Sequence, residues 1–395
     1  AHLDHVGFLP YLYKFGFRGP TYCTAPTRDM AALLLLDFVK IMKSENKEPI
    51  YDVEDVKEMV KHTVTLEYDE VTDVTPDVRL TLYNAGHTLG SAMIHMHIGN
   101  GLHNILYTGD MKYGKTQVLE PSSTVFPRLE TLIIESTYGG KDISDQAKEE
   151  NDADFAALVK ETVEKGGKVL VPVLGSGRAQ EIMLTLHHMM FITNELPKVP
   201  IYVDGLVWDI TAIHTAYPEY LNSNVRKLIF HKDQNPFLAE VFKEVGSQQE
   251  RQQIIQSAQP CIILATSGML VGGPSVEYLR GLGDDAKNSL AIVSYQGEGS
   301  LGRRIQRGER EIAFTNGANQ EILQIKCNIV TFEEFSAHSN RKQLLNFIYK
   351  CSPRPKKVIV NHGESSRCLD LASAIHKIMR IETSAPRNLE AVRLK

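Results

Sequence analysis

The stretch Ala1-His2-Leu3-Asp4-His5-Val6-Gly7 decides how this sequence of 395 residues is interpreted. It places two imidazoles and one carboxylate within four residues, which packing alone does not explain. Nitrogen and oxygen donors suit divalent cations, and a His-x-Asp-His loop can direct them at two adjacent metal ions. The opening of the chain therefore predicts a metal centre that uses His2, Asp4 and His5.

Four later clusters contain donors of the same kind. They are Gly86-His87-Thr88, Thr108-Gly109-Asp110, Phe335-Ser336-Ala337-His338 and Asn361-His362-Gly363. A single histidine beside a glycine is more often a structural residue than a ligand. The joint order of the clusters along the chain is what indicates a shared site.

Two apolar strands are predicted over residues 105–110 and 131–135, and each ends in a carboxylate, Asp110 and Glu135. Layered α/β sheets place their chemistry at strand ends. His95 and His97 also alternate along a predicted strand. Nothing else points at them, so we predict a solvated strand face there.

The amino-acid composition narrows the classes of protein to which this chain can belong. The 43% hydrophobic and 23% charged residues are typical of a globular chain long enough for two domains. The net charge of −5 argues against an overall basic nucleic-acid binder, so a polyanion would need a local groove. The closest approach to an apolar span of membrane length, residues 31–39, is far too short to cross a bilayer. Five widely spaced cysteines without a Cys-x-x-Cys pair indicate reduced thiols and a cytoplasmic location.

The pattern of elements changes along the chain. Helices are predicted after Thr27, which we expect to cap the first one, and over 53–62, followed by short strands over 78–109. Buried-type strands near 168–173, 199–203, 261–265 and 290–294 alternate with helices, which predicts a parallel, doubly wound sheet. A strand over 357–360 and a helix over 369–379 end the chain. We predict one domain that is split in sequence by an inserted Rossmann-like domain.

Together these motifs resemble the β-CASP branch of the metallo-β-lactamase superfamily, and within it the archaeal cleavage and polyadenylation specificity factor nucleases, relatives of ribonuclease J. His2, Asp4 and His5 match the opening motif, whose first histidine would lie one residue before Ala1, so the resemblance implies a truncated N-terminus. His87 and Asp110 match the later metal motifs. Glu135, His338 and His362 match the motifs called A, B and C in this branch.

The resemblance implies an α/β fold: a metallo-β-lactamase αββα sandwich, with its N-terminal strands missing, that carries an inserted Rossmann-like β-CASP domain. The implied domains are 1–140 and 331–395 for the split metallo-β-lactamase domain and 141–330 for the insertion. It also implies a homodimer through the C-terminal tail.

The family implies two zinc ions per subunit, held by His2, Asp4, His5, His87, Asp110 and His362. Asp110 would serve both metals, and the absent histidine would complete the first set. The implied catalytic residues are Asp4, Glu135 and His338. His338 would protonate the leaving oxygen while Glu135 orients its imidazole. Proposed phosphate contacts are Arg178, Ser267, Gly268, Arg303 and Arg304.

The function predicted from the resemblance is a zinc-dependent endoribonuclease, with 5′-to-3′ exoribonuclease activity as a further option, in RNA 3′-end processing, transcription termination or decay. Two alternatives stay open: a non-catalytic RNA-processing scaffold of the same fold, and a small-molecule metallohydrolase. The sequence leaves the balance of endonuclease and 5′-to-3′ exonuclease activity open, and also the RNA sequence preference. We predict RNA as a partner and no association with a membrane.

Overall fold

The alternation of apolar strands and amphipathic helices yields two units in the computed structural model, which describes residues 1–140, 148–316, 319–332 and 335–394. One unit is formed by Ala1–Asp145 together with Ala337–Lys395, and the other by Gln146–Ser336. None of the described helices is long and apolar enough to cross a bilayer.

The first part of the first unit begins with two short helices and ends with a run of strands. Its elements are α1 (Leu3–Val6), α2 (Leu9–Lys14), β1 (Thr21–Cys23), α3 (Ala25–Ser44), α4 (Val53–Lys61), β2 (Thr63–Thr65), β3 (Val71–Thr75), β4 (Val78–Asn84), β5 (Ala92–Ile98), β6 (His103–Tyr107) and β7 (Thr131–Ile134).

The second unit alternates strands with helices. Its elements are α5 (Lys148–Glu164), β8 (Lys168–Pro172), α6 (Arg178–Phe191), β9 (Ile201–Asp204), α7 (Val207–Ala216), α8 (Ser223–Lys232), β10 (Phe242–Val245), α9 (Gln248–Gln256), β11 (Cys261–Ala265), α10 (Pro274–Leu282), β12 (Ser289–Ile292), α11 (Leu301–Gln306), β13 (Glu311–Asn316), β14 (Asn319–Gln324) and β15 (Asn328–Thr331), with short 3₁₀ turns at Pro218–Tyr220 and Pro236–Leu238. The first unit then resumes with α12 (Arg341–Lys350), β16 (Lys357–Val360), α13 (Ser365–Met379) and β17 (Glu382–Ser384).

A seven-stranded sheet carries the first unit, in the order β17-β16-β7-β6-β5-β4-β3, and β1 and β2 form a separate small sheet. Strands β17, β16, β7 and β6 run parallel, whereas β6, β5, β4 and β3 are antiparallel. Tyr107 of β6 is in register with Ile133 of β7, and Val360 of β16 is in register with Ile134 of β7. The parallel strands β6, β7 and β16 therefore end at the same edge of the sheet. The segments that follow them carry Asp110, Glu135 and His362, as expected from the predicted strands.

A buried apolar layer fixes these strand ends. Leu106, Leu132 and Val358 from the sheet are fully buried, and so are Phe347 of α12 and Leu371 of α13. Burying a large aliphatic side chain stabilises the fold by about 1.5–3 kcal/mol. The edge that bears the polar residues is therefore supported by a closely packed core.

The second unit has the predicted parallel, doubly wound sheet, in the order β10-β9-β11-β8-β12-β15. Every residue of β8 and β11 is buried, which is typical of central parallel strands covered by helices on both faces.

Two local predictions were wrong. Thr24, and not Thr27, caps α3: its side chain accepts a hydrogen bond from the Thr27 N–H, and Pro26 fits the first turn because the missing N–H there has no helical partner. His95 lies on the buried face of β5, not on a solvated one. Its Nε2 lies 2.7 Å from the Arg128 carbonyl oxygen, and its ring stacks on Phe126, so it is a satisfied core histidine.

Candidate metal centre

Asp110 lies at the centre of the polar cluster. One of its oxygens, Oδ2, is 3.0 Å from His5 Nε2 and 3.5 Å from His87 Nε2. The other oxygen, Oδ1, is 3.2 Å from His362 Nδ1. The carboxylate is buried, so imidazoles from three distant parts of the sequence surround one anionic group.

The opening helix contributes from one side. Asp4 and His5 are on α1, and His2 is its N-cap residue. Asp4 Oδ2 lies 3.5 Å from His362 Nε2 and 3.7 Å from His5 Nε2. The His5 and His362 rings stack with centroids 4.9 Å apart, while the His2 ring meets His87 edge-on at 5.2 Å. All six predicted metal ligands therefore lie in one cluster.

Backbone geometry places the ligands. Gly86, just before His87, has a φ of +71°, and a Cβ there would lie 2.6 Å from the Lys112 carbonyl oxygen. Only glycine fits this position without displacing the chain. His362 itself has a φ of +48°. A non-glycine residue in this left-handed region is strained, and such strain is concentrated at functional sites.

The tautomer of His87 suits a metal ligand. Its Nδ1–H donates to the Ala337 carbonyl oxygen at 2.9 Å, which leaves the lone pair on Nε2. Within the described part of the chain, the buried atoms His87 Nε2 and Asp110 Oδ1 make no hydrogen bond, and the 3.2 Å approach of Oδ1 to His362 Nδ1 is an ion-pair contact only. Buried polar atoms are rarely left unsatisfied, and fixing the second ring nitrogen is how proteins orient histidine ligands. These two atoms are therefore suited to coordinate a bound cation.

The donor atoms fall into overlapping groups, each with atoms within 4.8 Å of one another. Among the described residues the groups are Asp4, His5 and His362; His87, Asp110 and His338; and Asp110, Glu135 and His362. Two cations that share Asp110 agree with this arrangement. The groups also bring His338 and Glu135 within reach of a metal, which the sequence did not suggest.

The histidines of the cluster differ in the direction in which their pKa is shifted. Burial lowers the pKa of His2 to about 3 and holds the pKa of His87 well below its ordinary value, so both are neutral, as ligands must be. By contrast, the pairing with Asp4 raises the pKa of His362 to about 9, and the same pairing lowers the pKa of Asp4 to about 2. Burial alone would raise the pKa of Asp110, but the hydrogen bond from His5 and the electrostatic influence of the neighbouring imidazoles outweigh it and lower that pKa.

Glu135 and His338 form a buried pair beside the donors. The Glu135 side chain is fully buried, and the His338 Nδ1–H donates to its carboxylate at 2.9 and 3.1 Å. The carboxylate also accepts the Met111 N–H at 2.6 Å. The His338 ring lies 4.6 Å from the His87 ring, centroid to centroid. Sequence reasoning predicted this pair but missed the Met111 amide, since a backbone donor has no sequence signal.

The predicted phosphate contacts belong to the second unit. Arg178 begins α6 and is buried. Ser267 donates to the Gly272 carbonyl, while the Gly268 carbonyl accepts from Gln296 Nε2 at 2.9 Å. The Gly302 N–H donates to Met269, so the loop after β11 contacts the start of α11, the helix that carries Arg303 and Arg304. Arg304 forms an exposed ion pair with Glu309, which a phosphate would have to displace.

Comparison with known proteins gives three domain matches along the chain. A metallo-beta-lactamase superfamily domain matches residues 1–135, a Beta-Casp domain matches 179–305, and a Zn-dependent metallo-hydrolase RNA specificity domain matches 322–386.

Relatives are similar over the whole chain. It is 51% identical to the transcription termination factor FttA of Thermococcus kodakarensis, over all of this chain and 61% of that protein. It is 51% identical to the factor of the same name from Methanocaldococcus jannaschii and 49% identical to that of a Lokiarchaeum species, in each case over all of this chain and 62% of the relative. The chain thus spans about three fifths of the length of these relatives.

Proposed function

Because the chain belongs to the β-CASP family of the metallo-β-lactamase superfamily, we propose that it is a zinc-dependent ribonuclease that hydrolyses RNA phosphodiester bonds. The observation that carries the proposal is the buried Asp110 carboxylate among His5, His87 and His362, with no hydrogen bond to His87 Nε2 or Asp110 Oδ1 from any described residue.

The residues would hold two cations. His2, His87 and Asp110 would contribute to one set, and Asp4, His5, Asp110 and His362 to the other. Imidazole-rich sets favour zinc over magnesium, which prefers oxygen ligands. Two bound cations would supply an activated water at neutral pH and stabilise charge on the phosphoryl oxygens.

The protein's own part in the chemistry lies with His338. Its Nδ1–H donates to the buried Glu135 carboxylate, which fixes the orientation of the ring. The Nε2 atom would then carry the proton that goes to the departing oxygen. A general acid of this kind contributes about 10²–10⁴-fold in rate. Asp4, exposed at the edge of the cluster, would orient the attacking water and His362.

RNA is the proposed substrate because the chain carries an RNA specificity domain, and its relatives are named transcription termination factors. We assign the phosphate contacts to Arg178, Ser267, Gly268, Arg303 and Arg304, and the cellular role to transcription termination or RNA 3′-end processing in the cytoplasm. A homodimer through the C-terminal tail is part of the same proposal.

The test compares substrates for the full-length protein. RNA, single-stranded DNA and a chromogenic β-lactam are each incubated with zinc and with a chelator. We expect chelator-sensitive cleavage of RNA and none of the lactam. Lactam hydrolysis would indicate a small-molecule hydrolase, and RNA binding without cleavage would indicate a scaffold; either result overturns the proposal.

A further inference from the structure

The segment Ala337-His338-Ser339 is held at every residue by groups next to the metal ligands. The Ala337 carbonyl accepts from His87 Nδ1, and the His338 ring donates to Glu135. Two further contacts are made by Lys112 and Ser339, which lie outside the predicted metal and catalytic sets.

Lys112 is a buried ammonium, with only 5% of the residue exposed. Its Nζ donates to the His338 carbonyl oxygen at 3.0 Å. Its backbone is fixed as well, because the N–H donates to the Ala85 carbonyl and the carbonyl accepts from the Ser122 N–H, both at 2.9 Å. The buried Lys112 ammonium thus bonds the backbone of the residue that carries the proposed general acid.

Ser339, the residue after His338, is bonded to the same loop. It is fully buried, and its hydroxyl donates to the Met111 carbonyl at 3.2 Å and accepts the Tyr113 N–H at 2.8 Å. The Ser339 N–H also donates to the Met111 carbonyl at 2.9 Å. Since the Met111 N–H binds Glu135, the residues after Asp110 contact both members of the His338–Glu135 pair.

We propose that Lys112 and Ser339 are positioning residues that align His338 with the leaving oxygen, an inference that rests on the proposed ribonuclease function. The loop 110–113 begins with Asp110, whose carboxylate both metal sets would share. Further along, its residues bond the His338 carbonyl and Ser339. The loop thereby sets the position of the proton donor relative to the metals. Neither residue takes part in proton transfer itself.

A positioning role differs measurably from a structural one. Misalignment of His338 slows only steps in which the leaving oxygen needs a proton. A sulfur leaving group departs as a stable thiolate and needs none, because a thiol is far more acidic than an alcohol. The defect should therefore vanish on a substrate with sulfur in place of the leaving oxygen.

The experiment uses the zinc-loaded full-length protein and its Lys112→Met and Ser339→Ala variants. The substrates are an RNA whose cleavage position and leaving oxygen have been mapped from its products, and the same RNA with a bridging sulfur at that oxygen. We expect kcat on the ordinary RNA to fall about tenfold or more, a share of a full general-acid contribution. We expect KM, and kcat on the sulfur substrate, to stay near wild type. Lys115→Met, at an exposed position three residues further along the chain, is the matched control.

The outcomes separate the inference from its premise. Equal losses on both substrates, or no loss on either, would overturn the positioning role. If Lys112→Met fails to fold in a melting experiment, Ser339→Ala decides the question alone. If wild type does not cleave RNA, the proposed function fails instead. If His338→Ala shows no selective loss on the ordinary RNA, the general-acid assignment fails and the positioning role fails with it.

Discussion

Replacing Glu135 by glutamine should separate orientation of His338 from metal binding. The substitution keeps the volume of a fully buried side chain. The amide oxygen can still accept the Met111 N–H, but the amide NH₂ then faces the His338 Nδ1–H, and two donors oppose each other. The imidazole must rotate or give up its Nδ1 proton and stay neutral with a proton on Nε2 only, and either change weakens the proposed acid.

The size of the effect follows from the bond that is lost. A hydrogen bond to a charged group contributes about 1.5–3 kcal/mol. At about 1.36 kcal/mol per tenfold change in rate, Glu135→Gln should slow cleavage about 10- to 150-fold.

The assay is single-turnover cleavage of end-labelled RNA, with zinc measured by elemental analysis on the same samples. Glu120→Gln, at an exposed position, serves as the control. We expect unchanged zinc content with the slower rate. A rate within twofold of wild type would refute the role in orientation, whereas loss of zinc would show that Glu135 is itself a ligand in the group with Asp110 and His362.

Three further predictions follow from the same geometry. His338→Ala should keep its zinc and lose about a hundredfold or more in rate; loss of zinc, measured by elemental analysis, would instead make His338 a ligand. Since the pKa of His362 in the metal-free protein is raised from 6.5 to about 9, the stability gained from its pairing with Asp4 is fully present below pH 6.5 and lost as the pH rises through 9. Zinc binding should therefore release a proton from His362 at pH 7.5 and progressively less above pH 9, which calorimetry in buffers of different ionisation enthalpy would detect; binding without proton release at pH 7.5 would contradict the assignment. Deletion of the residues after Ile381 should turn the proposed homodimer largely into monomer in light scattering, and an intact protein that is already monomeric would disprove the interface.

The deletion also removes part of the fold. Strand β17 pairs with β16 as the edge strand of the main sheet, and Ile381 is buried in its core. A shortened variant should therefore also be checked by thermal melting, and a variant that ends after Ser384 keeps the strand while removing only the residues beyond it. A monomer formed from this second variant would assign the contact to residues 385–394.

Site residues could be predicted where a short stretch of sequence shows both the element and the side chain. Asp110 and Glu135 follow apolar strands, and His87 and His362 stand beside glycines, so their meeting at one sheet edge could be predicted. The parallel sheet of the second unit was predicted for the same reason, because its strands are continuously apolar.

Other features depend on contacts between distant segments. His95 seemed solvated because its neighbours Ile94 and Met96 are apolar, yet the Arg128 carbonyl satisfies its ring and allows burial. Lys112 and Ser339 are polar residues that a sequence places on the surface. Only the fold shows that each bonds a backbone group 226 to 228 positions away.

The central claim is that Asp110 holds two cations required for RNA cleavage, and zinc stoichiometry in the Asp110→Ala variant tests it most directly. Zinc per chain and single-turnover RNA cleavage are measured together for wild type, Asp110→Ala and the exposed control Asp77→Ala. We predict two zinc ions per chain and full activity in the full-length wild type and the control, and joint loss of zinc and cleavage in Asp110→Ala, because both metal sets share this carboxylate. An Asp110→Ala protein that retains both zinc ions, or one that cleaves RNA without them, would contradict the account.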